Sequence, residues 1–287
     1  MDNKGADGIN HRLRTIALLA FAGFLWSLGG VFIKTTDAHP FVISSVRSLT
    51  AAFGTLAFLR FKPKFTFERA QIAGALLYAA TLTSFVTATK LTTSANAILL
   101  QYTSPIFVAL LSRLLLKSAL RWFDFLSMGG VGAGLVLLMY GSIGYGSLAG
   151  NVIAVISGFF YASMMVSLKM HKSGSQVETM LLGNLAAAIF GLPFLFVYPV
   201  ALTALPPVIF LGIFQIAIPY FMFAKASVRA SALDLALIPV IEPLLNPLWV
   251  FLVTGEQPAP LTYVGGCILL AVVTFRSAKM YASARQT

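Results

Sequence analysis

The sequence predicts an all-α membrane protein of ten transmembrane helices, arranged as two inverted-topology five-helix repeats with both termini cytoplasmic. Three observations lead there. Apolar stretches fill the 287 residues almost end to end, with 58% hydrophobic and 10% charged residues and a mean hydropathy of +0.87. The cations fall between alternate pairs of those stretches. The first half of the chain is echoed by the second. A bilayer-spanning helix needs about 20 apolar residues, and only helices or closed barrels satisfy backbone polar groups in hydrocarbon.

The expected spans are 15–34, 41–60, 70–90, 94–116, 123–140, 148–170, 176–198, 204–225, 231–254 and 260–276. Lys4, Arg12 and Arg14 precede the first. Arg60, Lys62, Lys64 and Arg69 separate the second and third, and Arg113, Lys117 and Arg121 the fourth and fifth. Lys169 and Lys172 follow the sixth, Lys225 and Arg229 the eighth, and Arg276, Lys279 and Arg285 the tenth. The intervening loops, near 35–40, 91–93, 141–147, 199–206 and 255–260, hold no Lys or Arg. Short cytoplasmic loops carry the excess of Lys and Arg, so both termini are expected inside. The polar start followed by a long apolar run reads as an uncleaved first span rather than a signal peptide.

The net charge of +11 is scattered over short loops and does not form the basic soluble face that nucleic acid requires. A single cysteine, Cys267, excludes a disulfide framework and is expected to be inert packing. His11, His39 and His171 fall in expected loops or tails. No G-x-x-x-x-G-K-[ST], H-E-x-x-H, G-x-S-x-G or C-x-x-C occurs. No cofactor or metal is expected. An intramembrane enzyme is the weaker class, because only one acid, Glu242 in the expected span 231–254, falls deep within a span and no second one forms a catalytic pair with it. A receptor or scaffold would be expected to carry long loops or an extramembrane domain.

The repeat is read from three matches. Gly23, Phe24, Val31 and Lys34 coincide with Gly158, Phe159, Val166 and Lys169, with an aromatic at Trp26 and Tyr161. Leu49, Ala51, Ala52, Phe58, Leu59 and Pro63 align with Leu185, Ala187, Ala188, Phe194, Leu195 and Pro199. Ser94-Ala95 and Pro105 match Ser231-Ala232 and Pro243. The halves are thus about 1–145 and 146–287. Five spans is an odd number, so the second half enters from the opposite side. Inverted repeats of this kind place binding sites near the midplane between the halves.

Polar residues at that depth are functional candidates. Glu242 lies about 17 Å into span nine at ~1.5 Å per residue, beside Pro243 and Asn246. Its counterpart stretch in span four, Gln101-Tyr102-Thr103-Ser104-Pro105, has the proline without the acid. Pro105 and Pro243 are expected to kink their helices and free carbonyls toward a central cavity. Trp26, Tyr78, Tyr102, Tyr161 and Tyr220 add deep aromatics whose O–H and N–H need partners, and Gln215 and Asn184 add amides. Arg47, whose repeat counterpart is Gly183, has three readings: a carboxylate site, an ion-pair partner of Glu242, or a side chain snorkelling outward. Lys34 and Lys90 are expected to snorkel. Asp234 is expected to be a helix-start anion. Glycines 129, 130, 132 and 134 with Gly265 and Gly266 are packing faces, expected to act within each half. A monomer is expected, a dimer the alternative.

An aromatic, charge-poor cavity suits a partly apolar small molecule and not a phosphate ester, which would demand several deep cations. The ten short spans, the inverted repeat and the ending of span one (Trp26, Ser27, Gly29, Lys34) resemble the drug/metabolite transporter superfamily, EamA branch, over nearly the whole chain. Gly255-Glu256 matches the Gly-Glu that many of that family's repeats carry at the end of their fourth span, whereas half one has Leu116-Lys117-Ser118. The resemblance implies a bundle with a cavity lined by spans one to four and six to nine, with five and ten peripheral. It implies a bacterial inner-membrane exporter of aromatic or other bulky neutral amino acids. Hydrophobic cationic drugs or other metabolites are the alternative cargo.

Overall fold

A computed structural model of the chain describes residues 3–117, 119–141, 146–170, 176–227 and 240–284. All regular structure among the described residues is helical. Eight helical stretches are long and apolar enough to cross a membrane: Arg14–Thr35, Pro40–Phe58, Arg69–Leu91, Ser94–Leu115, Trp122–Gly141, Leu148–Met170, Gln176–Val197 and Leu202–Phe223. They match the first eight expected spans closely. Ile241–Thr254 and Pro260–Arg276 are shorter apolar helices at the ninth and tenth. Residues 231–239, with Asp234 and the start of span nine, lie outside the described residues, as does His171. His11, expected outside regular structure, is within a helix.

Three spans are broken, two of them next to a proline. Span one is α1 (Asn3–Ser27) and α2 (Gly29–Thr35), interrupted by a turn at Leu28. Span two is α3 (Pro40–Phe58), started by Pro40 after His39, whose Nδ1 accepts from Phe41 N; proline suits a first helical turn because its missing N–H is not needed there. Span three is α4 (Arg69–Leu91). Span four divides into α5 (Ser94–Gln101) and α6 (Ser104–Leu115). Pro105 cannot donate to the carbonyl of Gln101, so the break falls where the sequence predicts. Gly158 lies against that freed oxygen, 2.8 Å from where a Cβ would stand.

Spans five to seven are α7 (Trp122–Gly141), α8 (Leu148–Met170) and α9 (Gln176–Val197). Span eight is α10 (Leu205–Phe210), a π-helical turn Leu211–Ala217, and α11 (Ile218–Ser227). The sequence did not announce this π turn, although Pro219 was its signal. In α geometry its ring would strike the carbonyl of Gln215, and the wider turn makes room. Span nine contributes α12 (Ile241–Thr254), closed by Gly255 at φ 71°, a left-handed cap that glycine adopts freely. Pro243 stands in its first turn, so the expected kink there lies against undescribed residues. Span ten is α13 (Pro260–Ala284).

The principal packing runs between the sequence halves. Helix α4 lies along α8, α3 along α9, and α7 along α13. The glycine faces therefore act across halves, not within them as expected. A Cβ at Gly130 would meet Val272 at 2.5 Å, and one at Gly134 would meet Leu269 at 2.8 Å, whereas Gly129 and Gly132 face nothing within 4 Å. Asp124 and Arg276 pair at 2.8 Å across the same two helices. Cys267 is exposed on α13 rather than packed.

Candidate functional site

Most of the predicted residues converge at the helix midpoints. The Tyr102 hydroxyl donates to Glu242 Oε2 at 3.4 Å, joining the break of span four to the first turn of α12. Trp26 and Tyr220 meet edge to face at 5.2 Å, and Tyr78 and Tyr220 at 5.5 Å. Such edge-on pairs are favourable because the ring face is electron-rich and its rim positive. Trp26, Gln101, Tyr102, Tyr161, Tyr220 and Glu242 each retain uncovered surface. Tyr78, Gln215, Asn246 and Arg47 are buried behind them.

Gln101 Nε2 donates to Ser157 Oγ at 2.8 Å, and Ser157 donates to the carbonyl of Thr81. The break of span four is thereby tied to α8 and α4. Tyr78 Oη and Asn184 Oδ1 make no hydrogen bond within 3.5 Å among the described residues, although the Tyr78 hydroxyl faces the Tyr220 and Asn184 side chains. Both border a cavity of about 10 Å³, also lined by Thr55 and Tyr220. That is about the space one water needs. Glycine at 183 lets α9 reach this layer: a Cβ there would lie 2.6 Å from the carbonyl of Ala75 and 2.7 Å from Tyr78.

The structure separates Arg47 from Glu242. Arg47 is 1% exposed, so it does not snorkel. Its Nη1 donates to Gln215 Oε1 and its Nη2 to the carbonyl of Leu82, each at 3.3 Å. Its guanidinium lies within electrostatic range of Tyr78 and Tyr220.

Lys34 and Lys90 also turn inward instead of snorkelling. Lys34 Nζ pairs with Glu256 Oε2 at 2.7 Å and donates to the carbonyl of Thr92 at 2.6 Å. Lys90 donates to the carbonyl of Thr36 at 2.6 Å. Glu256 Oε1 accepts from Ser94 N at 2.7 Å, and Ser94 Oγ donates to Asn246 Oδ1 at 2.6 Å. Asn246 is thus a fastener of α5 to α12 at this end. A Cβ on Gly30 would collide with that Ser94–Asn246 pair. Thr92 donates to Asn151 at 2.7 Å, and Thr262 to Asn96 at 3.0 Å. Together these contacts seal the end of the bundle at which the loops lack cations. Sequence reading missed the seal, although the Gly-Glu step and the Lys34 of the repeat were its signals.

A larger cavity lies elsewhere. A groove of about 430 Å³ runs between α4, α8 and α9 along Leu76, Ala80, Ser84, Ile156 and Phe190. It holds none of the predicted site residues. Leu76 and Phe190 are 59% and 61% exposed, so it opens on the outer surface of the bundle. Among the described residues no cluster of three or more His, Cys, Asp or Glu could hold a metal.

Comparison with known proteins agrees with this architecture. Two proteins of Archaeoglobus fulgidus, each described as an uncharacterized transporter, are similar along almost their whole length. One is 26% identical over 93% of this chain and 99% of its own, the other 27% identical over 90% and 94%. A crystal structure of a protein matches with a TM-score of 0.65 over 95% of this chain and 99% of its own, at 18% identity, a likeness of fold alone. The model of the EamA-like transporter family matches twice, at residues 13–140 and again at 148–277. This multi-pass membrane protein belongs to the EamA-like transporter family.

Proposed function

We propose that this transporter is a secondary exporter of aromatic or other bulky neutral amino acids, working by alternating access through the midplane site. The observation that carries the reading is the part-exposed set Trp26, Tyr102, Tyr161 and Tyr220 around Glu242. Aromatic faces hold an apolar ring, and the single carboxylate meets an ammonium group. Resemblance to the bacterial aromatic amino-acid exporter YddG supports the same cargo.

In this reading ten spans form two inverted halves, 1–145 and 146–287, with both termini in the cytoplasm. The protein resides as a monomer in a bacterial inner membrane, catalyses no reaction and uses no cofactor. Packing of α3 on α9 and α4 on α8 supports a site shared between halves. The runner-up cargo is a hydrophobic cation, favoured by the same acid among aromatic faces, which suit cations.

Purified protein in liposomes should exchange labelled Phe, Trp or Tyr without ATP. Exchange of none of them, with transport of a hydrophobic cation, would replace the first cargo by the second.

A further inference from the structure

Arg47 is a buried cation with no carboxylate paired to it among the described residues. The two ion pairs among the described residues, Lys34–Glu256 and Arg276–Asp124, exclude it. A guanidinium carries five N–H donors. Two of the five are used, both at 3.3 Å, and Nε has no partner among the described residues. The adjoining Ser48 Oγ has none either. Desolvating a charge is costly unless a counter-charge and full hydrogen bonding offset it. The arrangement therefore wants an anion.

Two features point to where one enters. Gln215, the acceptor of Nη1, sits inside the π turn and against Gly29, where a Cβ would be 2.8 Å from its amide nitrogen. Its amide oxygen is a neutral stand-in for a carboxylate oxygen. Tyr78 and Tyr220, the latter edge-on to Trp26, pack in one cluster with Leu82, whose carbonyl Arg47 holds, and with Ile216, next to Gln215. A carboxylate at Arg47 would thus have aromatic walls beside it for an attached ring.

We propose that Arg47 is the carboxylate anchor of the substrate site, and that Gln215 holds its place when the site is empty. This rests on the amino-acid reading and deepens it: the cargo must carry a carboxylate, and the matching decarboxylated amine is discriminated against. The second half has glycine at the equivalent position, Gly183, so the anchor is single.

The test is exchange of labelled phenylalanine in liposomes, with phenylalanine and phenethylamine as competitors. The wild-type protein should prefer phenylalanine by about tenfold or more, the scale of a charge-assisted contact. Arg47→Gln should bring that preference close to unity, chiefly by weakening phenylalanine. Gln215→Ala should tighten phenylalanine, because the competing acceptor is gone; this arm stands even if Arg47→Gln fails to fold. Undiminished preference in Arg47→Gln, or weaker phenylalanine binding in Gln215→Ala, overturns the anchor alone. A wild-type protein that exchanges no aromatic amino acid overturns the cargo reading, and the anchor with it.

Discussion

Glu242 and Arg47, the two ionisable candidates at depth, have separate partners: Tyr102 for the acid, Gln215 and Leu82 for the cation. Both were visible as ionisable residues in apolar sequence; their separation was not, because a partner across a bundle leaves no trace in local hydropathy. Proton antiport would need Glu242 to titrate, since the sequence offers no second acid at depth. We expect exchange down the substrate gradient instead. Glu242→Gln should then change affinity for phenylalanine while exchange stays as insensitive to an imposed pH gradient as in the parent. Concentration of substrate by a proton gradient in the parent, abolished in Glu242→Gln, would establish antiport. At the bundle's end His39 stacks on Tyr198 at 4.0 Å, and desolvation lowers its pKa from the ordinary 6.5. The neutral ring is thus the one the fold favours. Its contribution is complete above pH 6.5 and is lost as pH falls through the lowered value. A proton-NMR titration should place the His39 midpoint below 6.5, and a midpoint above it would contradict the stack's preference.

At the scale of elements, close approach is set by where glycine stands. Gly183→Leu would drive a side chain into Ala75 and Tyr78 and should cost about 1–3 kcal/mol, the scale of overpacking. Gly132→Ala meets nothing within 4 Å and should gain roughly 0.5–1 kcal/mol of helix propensity. Thermal unfolding in detergent should therefore shift in opposite directions, and equal shifts would mean that the α4–α9 contact is not limiting. The sealed end is an element-level feature too. Lys34 and Glu256 close α2 against the residues following α12, whereas their repeat counterparts, Lys169 and the Lys117 region, offer two cations. Glu256→Gln should raise the labelling rate of a cysteine placed at Asn96, buried beneath the seal, from outside the membrane; unchanged labelling would show that neutral contacts suffice.

For the whole molecule the question is how two copies of one pattern face each other. The family matches at 13–140 and 148–277 give two copies of the unit, and five spans in each, as proposed, would invert the second copy. Cysteines at Lys64 and Ser147 should label from opposite sides of the membrane. Labelling from the same side would refute the topology. In such a protein, exchange between states needs helices that can bend, and the breaks at Leu28, Tyr102–Thr103 and the π turn lie on spans one, four and eight, which supply Trp26, Tyr102 and Tyr220.

The chain's hydropathy and proline positions by themselves determined the helices, because in a bilayer backbone satisfaction is local and an apolar run has no alternative to a helix. The break at Pro105 followed for the same reason, since a missing N–H acts four residues away. Repetition in the sequence likewise announced two related halves. Tertiary structure alone decided the partners. Lys34 met Glu256 and not the interface, Arg47 met Gln215 and not Glu242, and α7 packed on α13 from the other half. Each of those choices joins residues far apart in the chain, and its energy is the cost of leaving a buried charge or a close helix contact unmatched, which no local pattern records.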